Sequence, residues 1–441
     1  MSSFSRRRLR FDLAGRWPHT WPMHPVRVVM LAALPLAVLA GSPQRVGLSA
    51  VIAATYMVAA VITSRGRRID RVLVAYAGLV AAWMALSWLR TTFLLDLRPD
   101  QLSYANSKTA YFVLIVLPMA AAVALMVERA EAIWPAAIMQ IAIGAGVAAL
   151  TVVLMGERFL GAQRYSWQGD LVALGTVLAI QPWPIQRLKA SAILGVLGVF
   201  GIGLAGSRQA VAAAIAAMLV SAAFWGASRF HSAARHRLRF ALAGRYVLLP
   251  LALVVLLVGY IAITYAGDLG FHLTWAGIAR GGGSTSCNCV SDRLISLEAS
   301  PGDRDKLLLR GVQLFASHPI LGAGLGSFAG VIPDSLQPGH FYEYPHNVLL
   351  EVASETGIVG LLLVMGPLAM GWAALFWKGI QTASASIAGI LMFVAVFFTV
   401  ANLSGDIPSE RGLWIFGIVA FKLGVDAVRV GREQEVVPKA A

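Results

Sequence analysis

Apolar runs of about 17–25 residues recur along this chain from one end to the other, each long enough for a helix to cross the hydrocarbon layer of a bilayer. In hydrocarbon every backbone N–H and C=O needs a partner within the protein, which leaves helices or closed barrels. The runs lack the strict alternation of apolar and polar residues that a barrel strand shows, so they are read as helices. Composition agrees. Of 441 residues, 58% are hydrophobic and 13% charged, with a mean hydropathy of +0.71. Soluble domains are roughly a quarter charged.

The reading is an all-α polytopic membrane protein with about twelve transmembrane helices. The spans fall at 26–40, 46–63, 72–89, 110–127, 133–155, 171–183, 190–206, 209–227, 245–266, 347–377, 383–403 and 413–428. The sixth is short and ends in Gln181-Pro182-Trp183-Pro184. The run from Asn347 exceeds the bilayer thickness, so its first turns are expected at the interface or inside a protein cavity. A long loop, 267–345, precedes it. The division is a segment 1–25, a membrane domain 26–428 and a tail 429–441.

Lys and Arg in short loops set the orientation. Arg6, Arg7, Arg8, Arg10 and Arg16 precede the first span, and the basic stretches 64–71, 187–189 and 228–245 fall on the same side. That side is read as cytoplasmic, with both termini there and the 267–345 loop on the external side. The Arg-rich start leading into Trp17-Pro18 is not read as a cleavable signal. The net charge of +14 is therefore mostly topological. A nucleic-acid binder would need a basic patch on a soluble face.

No GxxxxGKS loop, HExxH or zinc-spaced Cys/His set occurs. Cys287 and Cys289 lie one residue apart in the loop; a strained disulfide and a pair of thiols are both open readings, and neither is catalytic. Chemistry is sought instead among polar residues at the outer ends of the spans, because charge at membrane depth marks a pathway or a site. Gly206-Ser207-Arg208-Gln209 joins two spans. Arg208 is either an interfacial anchor reaching headgroups or a guanidinium on a rigid turn that grips an anionic, phosphate-bearing ligand.

In the long loop, DRDKLLLRGVQLFASHP (303–319) has helical spacing, with Arg304, Lys306 and Arg310 in its first half. A surface-lying amphipathic helix is the plain reading. GAGLGSF follows. Its glycines are better explained by close approach of backbone to the membrane helices than by a phosphate loop, since no strand precedes them. In GHFYEYPHN, His346 sits at the first turn of a long helix, where imidazole near neutral pH is able to act as general base. His340 and Tyr342 read as loop surface. Interfacial belts account by default for Arg90, Arg98, Lys108, Arg158, Arg164, Tyr104, Tyr165, Trp167 and Trp275. Asp406, Glu410 and Arg411 read as an ion pair tying two helix ends.

Taken together, AGSRQA, RDKLLLRGVQLFASHPILGAGLGSF and PHNVLLEVASETGIVGLLL resemble the O-antigen ligase/O-antigen polymerase superfamily of bacterial surface-polysaccharide enzymes. Leu308 departs from that pattern, where many members carry Trp. The resemblance implies a GT-C-like helical fold and a metal-independent membrane glycosyltransferase without a cofactor. Its donor would be a glycan on undecaprenyl diphosphate, and its acceptor a sugar hydroxyl of lipid A-core (a ligase) or of another glycan (a polymerase of O-antigen or exopolysaccharide). A transporter of lipid-linked sugar is the reading from another class, for which helices broken at mid-membrane would be expected. The resemblance implies His346, Arg208 and Arg304 as catalytic residues. It adds Asn347, Tyr344 and Arg310, with the two arginines, as substrate-binding residues.

Overall fold

The computed structural model describes residues 23–40, 45–64, 70–95, 97–154, 165–180, 188–205, 207–233, 303–331 and 344–436. Among them no strand occurs, and seven helices are long and apolar enough to span a membrane. The described residues are all-helical, and the chain is a polytopic membrane protein. The expected span 245–266 lies outside the described residues, as do Cys287, Cys289, Trp275, Arg158 and Arg164.

The first helices are α1 (Pro25–Ala40), α2 (Val46–Thr63) and α3 (Arg71–Leu94). Asp70 caps α3, its carboxylate accepting from the amides of Val72 at 2.9 Å and Leu73 at 3.3 Å, which satisfies donors that a helix start leaves free. Helix α4 (Pro99–Tyr111) starts some ten residues before the apolar run, with Pro99 in its first turn and Asp100 following. It passes through one π-helical segment, Phe112–Val116, into α5 (Leu117–Met126). The π segment has a local cause. Pro118 has no N–H to give to the preceding turn, and the wider ring absorbs its clash.

A 3₁₀ turn, Ala130–Ile133, leads into α6 (Trp134–Val153), followed by α7 (Tyr165–Ala179), α8 (Leu188–Ala205) and α9 (Arg208–Ala233). Helix α7 thus starts earlier than the apolar run suggested. Helices α6 and α7 cross where Gly144 meets Gly175: a Cβ on Gly144 would lie 2.6 Å from the Gly175 Cα. Small residues at a crossing let backbones touch, which is how helices gain contact in a medium as apolar as their own side chains.

The last set comprises α10 (Asp303–Ser317), a one-turn α11 (Phe328–Val331), α12 (Val348–Thr382), α13 (Ala385–Ser404) and α14 (Arg411–Val436). Helices α12 and α14 pack along much of their length. Polar atoms inside the bundle find backbone partners: Tyr76 donates to the Val364 carbonyl at 2.8 Å and Trp372 to the Gly417 carbonyl at 2.9 Å.

The bundle has two distinct ends. At one, Arg27 pairs with Glu128 and donates to the Thr63 carbonyl at 2.8 Å, Arg429 meets Asp70 at 3.5 Å, and Lys422 donates to the Val127 carbonyl at 3.0 Å. The other end gathers the starts of α4, α7, α9, α12 and α14 and the ends of α3 and α13. Every described candidate site residue lies there.

Candidate functional site

The site end is organised by a break in α12. Gly357 adopts φ 72° and ψ −176°, which interrupts the helix after two turns. A break frees amides beyond it and carbonyls before it, and in a membrane protein these need new partners. The loop after α10 supplies them. The Ile358 and Val359 amides donate to the carbonyls of Pro319 at 2.9 Å and Ile320 at 3.2 Å. In return, the Ala323 and Gly324 amides donate to the carbonyls of Ser354 at 2.9 Å and Glu355 at 2.8 Å. Loop and helix exchange backbone bonds one for one.

The glycines of GAGLGSF make this approach possible. Gly322, Gly324 and Gly326 all have positive φ. A Cβ on Gly322 would lie 2.3 Å from the Glu355 carbonyl carbon, and one on Gly357 would lie 2.2 Å from the Ile320 carbonyl oxygen. Helix α3 holds the other side of the loop. Thr91 donates to the Leu325 carbonyl at 2.8 Å, Arg90 to the Leu321 carbonyl at 2.5 Å, and Ser87 to the Glu355 carbonyl at 3.1 Å. Arg90 is therefore a fastening of the loop. The stretch is a packing device, as the absence of a preceding strand implied.

Beneath the loop lies a charge cluster that the spacing of apolar residues did not reveal. The Lys108 ammonium on α4 sits 2.5 Å from Glu351 Oε1 and 2.7 Å from Glu355 Oε2, and all three side chains are fully buried. Lys108 is thus neither a headgroup anchor nor open to a diphosphate. Glu351 Oε2 accepts from the Ile407 amide at 2.8 Å, and Glu355 Oε1 from the Phe328 amide at 3.4 Å. One ammonium thereby ties together α4, the first turns of α12, the glycine loop and the turn between α13 and α14.

His346 immediately precedes α12 with φ 56°, the left-handed region that residues with a Cβ seldom occupy. Such backbone persists only where the surroundings hold it in place, and it concentrates at functional sites. Its ring meets that of Tyr344 edge-on, with centroids 4.5 Å apart. Asn347 is the N-cap of α12, its side-chain oxygen accepting from the Leu350 amide at 2.8 Å. Its amide donates to the Asn402 carbonyl at 3.1 Å, while Asn402 Oδ1 accepts from the Leu349 amide at 3.2 Å. Capping is the role these contacts show for Asn347.

Helix α10 packs against this start. A Cβ on Gly311 would lie 2.7 Å from Leu350 Cδ2 and 3.3 Å from Pro345 Cβ, so the helix backbone presses on the residues flanking His346. Arg310, next to Gly311, donates to Gln313 at 3.0 Å on the exposed side. Arg304 lies in the first turn of α10, and Arg208 is the first residue of α9; both side chains lie outside the described part of the structure. Helix α9 packs on α12 and α13. Ser207 caps it through the Ala210 amide at 3.4 Å, and Gln209 donates to Asp170 Oδ2 at 2.6 Å.

The turn between α13 and α14 completes the end. Asp406 accepts from the Ser409 amide at 2.8 Å, and Trp414 donates to the Ile407 carbonyl at 2.6 Å. Burial pushes the Glu410 carboxyl up to about 8, with the charges of Asp170 and Asp406 adding to it and Arg411 opposing. An intramembrane Lys with two Glu one turn apart is a signal in its own right. Reading the outer-face cations as an interfacial belt, however, gave Glu351 no weight.

The family model described as O-antigen ligase matches residues 193–365, which run from α8 through α9 and α10 to the first half of α12. Comparison with curated proteins returned no match.

Proposed function

We propose, from the match of residues 193–365 to the family model described as O-antigen ligase, that the chain is an O-antigen ligase. In this reading a finished glycan moves from undecaprenyl diphosphate to a sugar hydroxyl of lipid A-core, at the periplasmic face of the bacterial inner membrane. The observation that carries the reading is that the matched segment holds Arg208, Arg304 and His346, and that α9 and α10 both pack on α12.

In the proposed reaction the acceptor oxygen attacks the anomeric carbon while the bond from that carbon to the diphosphate oxygen breaks. The electron pair leaves with the diphosphate. Guanidiniums at Arg208 and Arg304 stabilise the departing charge without a metal. His346 takes the acceptor's proton as the new glycosidic bond forms, and attack from the face opposite the diphosphate inverts the anomeric centre. Tyr344, edge-on to the imidazole, fixes the ring. Asn347 holds the helix start from which it projects.

The break in α12 bears on the transporter reading, for which broken helices are a mark. Here the freed groups at Gly357 are taken by the chain's own loop rather than offered to an ion, which supports an enzyme.

A deletion strain scored for surface polysaccharide is the test. Core without glycan, with lipid-linked polymer accumulating, is expected. Core bearing a single repeat would assign a polymerase instead, and unaltered polysaccharide would sink glycan transfer altogether. His346→Ala is expected to slow transfer by about 10²–10⁴-fold, the span of a lost general base, with protein still in the membrane. Wild-type transfer by that variant would remove the base.

A further inference from the structure

We propose that the cavity between α1, α6, α7, α13 and α14 is a binding site for a sugar ring of the acceptor, with Asp170 accepting from its hydroxyls. This rests on the glycan-transfer reading and deepens it. The cavity measures about 110 Å³ and has Gln140, Asp170, Glu410 and Arg411 in its wall beside Phe397 and Phe416. Water needs only ~10–15 Å³ of such space, so there is room for a larger group.

Asp170 supplies the second observation. Its Oδ2 accepts from Gln209 at 2.6 Å, but its Oδ1 is buried and accepts no hydrogen bond among the described residues. A buried acceptor left unpaired is unfavourable and calls for a donor. A phosphodiester, ionised at neutral pH, offers acceptors only, and an apolar tail offers nothing. A sugar hydroxyl both donates and accepts, so it satisfies Asp170 and at the same time takes a bond from Arg411 or Gln140. The two phenyl rings, stacked with centroids 5.6 Å apart, give an apolar wall for the C–H face of a ring. Gln209, which holds Asp170, follows Arg208 directly. The cavity therefore adjoins the turn assigned to the donor's diphosphate, where an acceptor has to be.

The test is photolabelling of the full-length protein in phospholipid nanodiscs with a diazirine-bearing methyl glucoside, beside a diazirine-bearing alkyl phosphate. Saturable glucoside labelling within 165–180 or 393–416 is expected, with saturation about tenfold weaker in Asp170→Asn. Asparagine matches aspartate in shape and keeps an oxygen for Gln209, so that variant is expected to fold. Val400→Phe, which narrows the cavity, is expected to abolish the label. Labelling by the alkyl phosphate in its place, labelling indifferent to Asp170→Asn, or no saturable labelling overturns the inference. Polysaccharide in the deletion strain is scored separately, so an unlabelled cavity with transfer intact sinks this inference alone.

Discussion

Two carboxylates and an ammonium buried together at membrane depth stand only because each answers the others. Removing one partner leaves an uncompensated charge with no water to receive it, at a penalty of about 3–5 kcal/mol. Lys108→Met is therefore expected to lower stability by that amount, measured by thermal unfolding in detergent. The neutral triple variant Lys108→Met with Glu351→Gln and Glu355→Gln is expected to recover most of it. If Lys108→Met is as stable as the parent, the cluster does not hold this end together. Glu410 makes a prediction in pH. Its folded carboxyl titrates at about 8, against about 4.5 when free. The folded state then binds more protons between those values, so this group's contribution is complete below about 4.5 and is lost as pH rises through about 8. Glu410→Gln is expected to flatten the decline in thermal stability over that window; a decline as steep as the parent's would assign the titration elsewhere.

Helix α12 is where local rules and tertiary demands part. Its length and its start at Asn347 were legible, because an apolar run after Pro345-His346-Asn347 carries its own N-cap. Asn347→Ala is expected to destabilise by about 1 kcal/mol through loss of the cap, with a further effect from the lost bond to Asn402. Its break was not legible. Gly357 lies in a run of helix-compatible residues, and a lone glycine there reads as a mild weakness. The loop from residue 319 makes it a break, by taking the bonds the helix would otherwise close. Gly357→Ala is expected to be worse than the ~1–3 kcal/mol of a strained backbone, since its φ and ψ suit glycine alone and its Cβ would also strike the Ile320 carbonyl. Unchanged unfolding temperature in that variant would show the exchange to be dispensable. The π segment before Pro118 lies between these cases: the proline announces a disturbance, but its form depends on the helices around it.

For the molecule as a whole, the two ends differ in kind. One is laced by Arg27, Lys422 and Arg429 against acidic and carbonyl partners. The other collects the candidate site. The proposed orientation predicts that a reporter fused after residue 436 is active only as a cytoplasmic fusion, and that one inserted within 267–345 is active only as a periplasmic one. The reverse pattern would turn the site to the cytoplasm and remove the lipid-linked donor as substrate. The sequence by itself determined the membrane class, where most helices run, and which motifs merit attention, because a bilayer imposes span length and backbone satisfaction on any chain. Only the tertiary structure decided what surrounds those motifs. Lys108 meets Glu351 and Glu355, and the glycine loop fills the break in α12, through contacts between residues more than twenty positions apart, and a pattern read along one chain carries no record of which helices touch.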